Sequence, residues 1–209
     1  MNPTDFLIFE KINNYQTKIE QIKFVQDMIS SNQKLKKNFL SAENLVFGEG
    51  NLDAKIIFIG EAPGKKEDLN GRPFIGTAGR ILDQNLSQIG LDRQTTYITN
   101  IVKYRPDNNR DPSEAEKNLF LPYLIMQILI INPSVLVTLG RHSLSVFDKS
   151  LTINENHGKI TTIKFKKINL KFSNYSFKLL PLYHPAATIY NRALKTVLEN
   201  DFKNLKSYV

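Results

Sequence analysis

Apolar positions along the chain fall into two alternating kinds of run. Short stretches that are apolar at most positions, Lys55–Ile59, Thr96–Val102, Val135–Leu139 and Leu179–Tyr183, predict strands buried on both faces. Longer stretches with helical spacing lie between them. Arg80–Ile89 predicts a helix ended by Gly90, Glu114–Ile131 a long helix, Arg141–Phe147 a short one and Ala193–Leu205 a last one. Ser113-Glu114-Ala115-Glu116 fits a capping box at the head of the long helix, and Pro133 follows its end. Residues 1–40 are polar and mostly compatible with helix, and Ile19, Ile22, Val25 and Ile29 recur there at helical spacing. Thr161–Lys167 alternates polar and apolar residues, which suits an edge strand or a hairpin. There is no internal repeat and no long linker.

Apolar strands separated by helices predict a parallel sheet covered on both faces, and 209 residues suit one such α/β domain. Sheets of this kind bind ligands in the crevice beyond the carboxyl ends of their strands. The residues at those ends are Gly60-Glu61, Asn100, Gly140-Arg141 and His184-Pro185, most of them polar and suited to reading or reacting with a ligand. The first strand runs directly into GEAPGKKEDLNGRPFIGTAG, residues 60–79, in which five glycines and two prolines leave the backbone unusually free to shape itself around something.

Composition narrows what that something can be. The chain has no cysteine, which excludes disulfides, thiolate nucleophiles and cysteine-held metal clusters. A net charge of +8 makes nucleic acid the leading class of large partner, with a lysine-rich solvated surface as the alternative. No apolar run approaches the roughly 18–20 residues that span a bilayer, so no membrane partner is expected. The segment Met1-Asn2-Pro3-Thr4-Asp5 lacks the charged start of a signal peptide, and a cytoplasmic protein is the expectation. The glycine-rich loop matches neither the P-loop spacing nor G-x-G-x-x-G, and no G-x-S-x-G elbow exists. His142, His157 and His184 are too scattered to suggest a zinc site. What remains is an aromatic in a proline-constrained turn, Phe74, an amide at a strand end, Asn100, and a histidine before a proline, His184. A stacking ring, a bidentate amide and a hydrogen-bond donor together suit a planar heterocycle.

The segments GEAPGKKEDLNGRPFIGTAGRILD, YITNIVKYRPDNNRDP, INPSVLVTLGR and LYHPAA, in this order and spacing, resemble the signatures of the family 4 uracil-DNA glycosylases. VFGEGNLDAKIIFIGEAPG extends the resemblance upstream, so that it runs from about residue 45 to about residue 205. It implies a three-layer α/β/α sandwich around a short, mostly parallel sheet, with residues 1–44 as a helical segment packed on a 45–209 catalytic domain. It implies hydrolysis of the N-glycosidic bond of deoxyuridine in DNA, after the nucleotide is flipped out of the stack, leaving an abasic site. Carried over by position, Gly60, Glu67, Phe74 and Asn100 are implied at the base: Phe74 stacks on uracil, Asn100 pairs with its O4 and N3 edge, and Glu67 braces the loop. Glu61 would position the attacking water, Asn109 would stand near the sugar or that water, and His184 would donate to uracil O2. Tyr190, Asn191 and Arg192 are implied as the DNA-contacting wedge.

The resemblance has one departure. Members of that family hold a [4Fe–4S] cluster on four cysteines, and this chain has none, so no cofactor is expected. Tyr104 and Phe120 stand at two of the four positions, and the upstream pair falls near Gln33 and Lys36. The two aromatics are expected to meet and fill the vacated volume. Relatives that cross-link to DNA use a histidine in a basic insertion after the asparagine-bearing strand, and residues 104–117 contain none. A monomer acting on uracil-containing DNA is expected, with a catalytically silent DNA-binding or interaction protein of the same fold, or a domain acting on free nucleosides, as alternatives.

Overall fold

A computed structural model describes residue 12, residues 14–164 and residues 175–208. Its six strands are β1 (Glu49–Gly50), β2 (Ile56–Gly60), β3 (Tyr97–Asn100), β4 (Val135–Leu139), β5 (Thr161–Lys164) and β6 (Ser176–Leu182). They form one sheet in the order β1-β3-β2-β4-β6-β5. The four inner strands are parallel, while β1 and β5 run antiparallel along the edges. The predicted edge strand begins at Thr161, and its continuation past Lys164 lies outside the described residues. β3 pairs on one side of β2 and β4 on the other, which makes a topological switch point at the carboxyl end of β2.

Alternation along β2 divides the core. Ile57 and Ile59 join one cluster of buried side chains, whereas Ile56 and Phe58 join the opposite one. The second face is closed by α4 (Thr77–Gln88) and α9 (Ala193–Leu205), with Phe58 stacked on Phe202 at 5.9 Å between ring centroids. The first face is closed by α1 (Lys18–Ser31), the short α2 (Gln33–Lys36), α5 (Glu114–Ile131) and α6 (Arg141–Phe147). The three layers agree with the expected α/β/α sandwich.

Helix α5 begins at the predicted capping box, with Ser113 Oγ accepting from the Glu116 N–H and the Glu116 carboxylate accepting from the Ser113 N–H. It is buried on nearly all sides, from Phe120 through Ile131, and an apolar helix of that kind needs a cover outside as well as the sheet inside. The N-terminal segment supplies it: Val25 and Ile29 of α1 are fully buried in the same cluster. Lys18 Nζ donates to the Ile131 carbonyl at 3.1 Å, placing a cation at the carboxyl end of α5. Ile19, at the helical spacing of the buried positions, remains 72% exposed.

The expected aromatic meeting is present and has a third member. Tyr104 and Phe120 lie 6.1 Å apart, and Phe39 lies 6.2 Å from Tyr104 and 5.8 Å from Phe120. Gln33 and Lys36, the positions expected for the upstream pair, are exposed on α2 instead. The inward-facing residues of that segment are Leu35 and Phe39.

Candidate active site

At the carboxyl end of the sheet, Gly60 and Asn100 are register partners on β2 and β3. A Cβ on Gly60 would stand 2.3 Å from Asn100 Oδ1 and 2.5 Å from Phe74 Cζ, so only glycine lets the three meet. Phe74 is buried and adopts φ 52°, a left-handed conformation that a bulky side chain rarely takes. Glu67 on α3 (Lys65–Asn70) braces the turn from one side: its Oε1 accepts from the Ile75 N–H at 3.0 Å and the Gly76 N–H at 2.7 Å. His184 follows β6 and packs its Cβ against Gly140, where an added Cβ would stand 3.0 Å from it and where φ is 96°, a conformation that side chains disfavour. Its ring centroid lies 5.8 Å from that of Phe74.

These residues enclose a cavity of about 230 Å³ lined by Glu67, Phe74, Asn100 and His184 together with small residues of the glycine-rich loop. A single planar ring fits such a volume. Among the described residues, four buried side-chain polar atoms lack a hydrogen-bond partner, and two of them are Asn100 Oδ1 and Glu61 Oε1. An unmade bond on a buried group costs about 1–3 kcal/mol; Asn100 belongs to the cavity lining, and Glu61 lies outside it.

The protonation of the site follows from burial. His184 Nδ1 accepts from the Ala186 N–H at 3.2 Å, which leaves Nε2 carrying the proton. Burial pushes the His184 pKa down to about 4, with the Glu67 carboxylate pulling weakly the other way, so the ring is neutral at physiological pH. Glu61 is pushed up to about 7, first by burial and then by Asp111, while Lys117 and Arg141 oppose the rise. Its neighbour His142 sits with Nδ1 3.6 Å from Glu61 Oε1 and Nε2 3.2 Å from Asp111 Oδ2. The three could be considered for a cation, since their ligand atoms lie within 4.8 Å of one another. Lys117 Nζ at 3.2 Å from His142 Nδ1 and Arg141 Nε at 3.1 Å from Nε2 already bring two positive charges to that cluster.

Beneath Asn100, Lys103 is completely buried, its Nζ donating to the Asn100 carbonyl at 2.7 Å, Thr99 Oγ1 at 2.6 Å and Gln127 Oε1 at 2.6 Å. Gln127 in turn donates to the Phe47 carbonyl and to Tyr97 Oη. This network fixes the end of β3 from below. Burial moves the Lys103 pKa well down from the usual lysine range, and the three acceptors, which take up all N–H bonds of the charged form, work against that.

Of the residues named from sequence, Glu67, Phe74, Asn100 and His184 line the cavity, Gly60 supports it and Glu61 stands beside it. Asn109 does not join them. It lies on an exposed 3₁₀ turn, Asp107–Asn109, where its Oδ1 accepts from Arg105 Nε at 2.7 Å. The motif residue that comes close to Glu61 is Asp111, two positions on. Tyr190 projects from the short helix α8 (Ala187–Tyr190) with 90% of its surface exposed, and Ile189 beside it is half exposed. Asn191 and Arg192 are both exposed, and the Asn191 side chain accepts from the Ala193 N–H at 3.1 Å. Sequence reasoning did not single out His142, Asp111 and Lys117 around Glu61, or Lys103 under Asn100. Asp111 and Lys103 stand within the quoted motif, and His142 follows the Gly140-Arg141 strand end.

The sequence profile described as the Uracil DNA glycosylase superfamily matches residues 47–206, which takes in every strand and the whole cavity. The chain belongs to the uracil-DNA glycosylase superfamily. It is 44% identical over 189 residues to a protein of Sulfurisphaera tokodaii named Type-4 uracil-DNA glycosylase, covering 85% of this chain and 84% of that one. A Saccharolobus solfataricus protein of the same name is 44% identical over 192 residues, covering 90% and 86% of the two chains. A third, from Thermotoga maritima, is 39% identical over 172 residues, covering 81% and 85%. Within the uracil-DNA glycosylase superfamily the site described above lies in the matched region, at the sheet's switch point.

Proposed function

We propose that the chain is a uracil-DNA glycosylase that takes deoxyuridine out of the DNA stack and hydrolyses its N-glycosidic bond, leaving an abasic site. The observation that carries this reading is the Asn100 carboxamide, buried at the cavity wall with an oxygen that has no partner. Uracil presents an N3–H donor beside the O4 acceptor, and a carboxamide matches that edge with one acceptor and one donor. Cytosine presents an unprotonated N3 and an amino group, and so mismatches both. Phe74 forms the stacking floor, and the neutral His184 offers Nε2–H to O2. As the bond breaks, negative charge builds on the base and cationic character on the sugar. A fixed donor at O2 stabilises charge where it develops, and a Glu61 carboxylate orients water and faces the sugar's cationic character. Tyr190 and Arg192, both exposed, are read as a wedge and a phosphate contact for the DNA. We further read the protein as a monomer without a bound cluster, with residues 14–44 covering the catalytic domain; the start of the 1–44 segment lies outside the described residues.

Asn100→Asp tests the base-edge assignment. The carboxylate accepts from the cytosine amino group but cannot donate to uracil O4. Single-turnover excision of uracil should fall roughly ten- to a hundredfold, the scale of one matched buried hydrogen bond, while discrimination against cytosine narrows. Unchanged uracil excision would remove Asn100 from the pocket. Wild-type protein that binds a uracil-containing oligonucleotide without cleaving it would leave a silent DNA-binding protein, and cleavage of free deoxyuridine alone would point to nucleosides as substrates.

A further inference from the structure

Phe74 is held in its left-handed conformation by more than Glu67. On the opposite side of the turn, Arg93 aims two of its nitrogens at backbone carbonyls: Nη1 donates to Pro73 O at 3.0 Å, and Nη2 donates to Phe74 O. The guanidinium is itself pinned, with Nε on Asp83 Oδ1 at 2.7 Å, Nη2 on Asp83 Oδ2 at 3.4 Å and Nη1 on Glu49 Oε1 at 2.7 Å. Glu49 belongs to β1 and Asp83 to α4, so Arg93 ties the turn to both the sheet and the helix that follows it. On the inner side, a Cβ at Gly79 would stand 1.6 Å from the Phe74 oxygen, so that carbonyl lies directly against the first turns of α4. Exposed ion pairs contribute little by themselves. This one differs in its target, two successive carbonyls of a turn whose conformation a phenylalanine disfavours.

We propose that Arg93 is a positioning residue for excision, clamping the Pro73–Phe74 peptide so that the Phe74 ring stays presented as the floor for the base. The role rests on the reading of Phe74 as a stacking platform. It needs a planar fork that can bond two carbonyls and two carboxylates at once, which a lysine does not provide.

The test compares wild type, Arg93→Gln, Phe74→Ala and the double variant. It measures single-turnover excision from a uracil-containing single strand, and affinity for the same strand carrying thymine. Arg93→Gln should slow excision by about 10–100-fold, the scale of misplacing a bound group by a fraction of an ångström to an ångström. Affinity for the thymine strand should stay within about threefold, since phosphate contacts supply most of it. Because Arg93 acts through the ring, the double variant should be no more than about threefold slower than Phe74→Ala alone. Arg93→Lys should recover less than about a third of the lost rate, one donor direction replacing a fork. Excision by Arg93→Gln at the wild-type rate, or losses that multiply fully in the double variant, would overturn the clamp. If Arg93→Gln does not fold, Asp83→Ala takes its place. That variant frees the Nε anchor, and its smaller loss should vanish on the Phe74→Ala background; an equal loss on both backgrounds would overturn the proposal. Wild-type excision by Phe74→Ala would instead remove the platform reading, and the clamp's role with it, whereas a slow Phe74→Ala beside a fast Arg93→Gln removes the clamp alone.

Discussion

Burial acts on Glu61 and His184 alike by favouring the neutral form, yet the two are needed in different states. In the proposed reaction His184 is a neutral donor, and its pKa near 4 keeps it neutral throughout the physiological range. In the same proposal Glu61 acts as a carboxylate, and its pKa near 7 leaves it only partly ionised at neutral pH. The single-turnover rate should therefore rise as pH increases through about 7 and level off above, and Glu61→Gln should be both slow and flat over that range. The same shift has a cost in stability. The folded state favours the protonated acid, so this contribution is full below the usual carboxylate range and is lost as pH rises through about 7. Glu61→Gln should raise the Tm by about 3–6 °C at pH 8, a side chain less than a quarter exposed having little solvent to screen it. A Tm equal to wild type, beside a wild-type rate that ignores pH, would dissociate Glu61 from the reaction. For His184→Ala, loss of one donor aimed at developing charge should cut excision about 10²–10³-fold with DNA affinity little changed. Binding that falls in step with cleavage would mark a structural histidine.

Among the elements, the contact of Phe39, Tyr104 and Phe120 joins three segments distant in sequence: the chain after α2, the chain after β3, and α5. All three rings are buried, and packed aromatics hold position by surface burial and ring-edge geometry without any bridging group. Phe39→Ala should cost about 3–5 kcal/mol and lower the Tm by about 10 °C, while excision well below the transition keeps its rate. A small change in Tm would show that some other contact anchors the N-terminal segment. Sequence anticipated two members of this cluster from the family's cysteine positions. Phe39 escaped because its segment aligns loosely, and because only the approach of α2 to α5 turns it inward. Helix ends were more legible, since Ser113, Glu116 and Pro133 act on their own neighbours. The start of α4 was less so: it begins at Thr77, three residues ahead of the apolar pattern, where Gly76 gives up its N–H to Glu67.

At the scale of the whole molecule, the chain carries a net charge of +8 and presents an exposed tyrosine, Tyr190. Affinity for DNA should fall steeply and linearly on a log–log plot against salt. Tyr190→Ala should reduce excision from duplex about tenfold, because an aromatic wedge offsets a few kcal/mol of unstacking, with a much smaller effect on single strands and none on the Tm. Equal loss on both substrates would assign Tyr190 to strand binding instead of wedging. The sequence by itself determined the layer plan, because strands buried on both faces must be apolar throughout and helices covering them must keep a helical period. It also determined which residues end the parallel strands, and so brought Gly60, Asn100 and His184 to one crevice before any coordinate was known. The tertiary structure alone decided how that crevice is held. The left-handed turn at Phe74, the Arg93 fork on its carbonyls, the buried Lys103 under Asn100, and the departure of Asn109 to an exposed turn all depend on segments that meet only after folding. Periodicity and motif spacing record what a residue does for its near neighbours, whereas these contacts are set by the close approach of distant backbone, and no local pattern carries them.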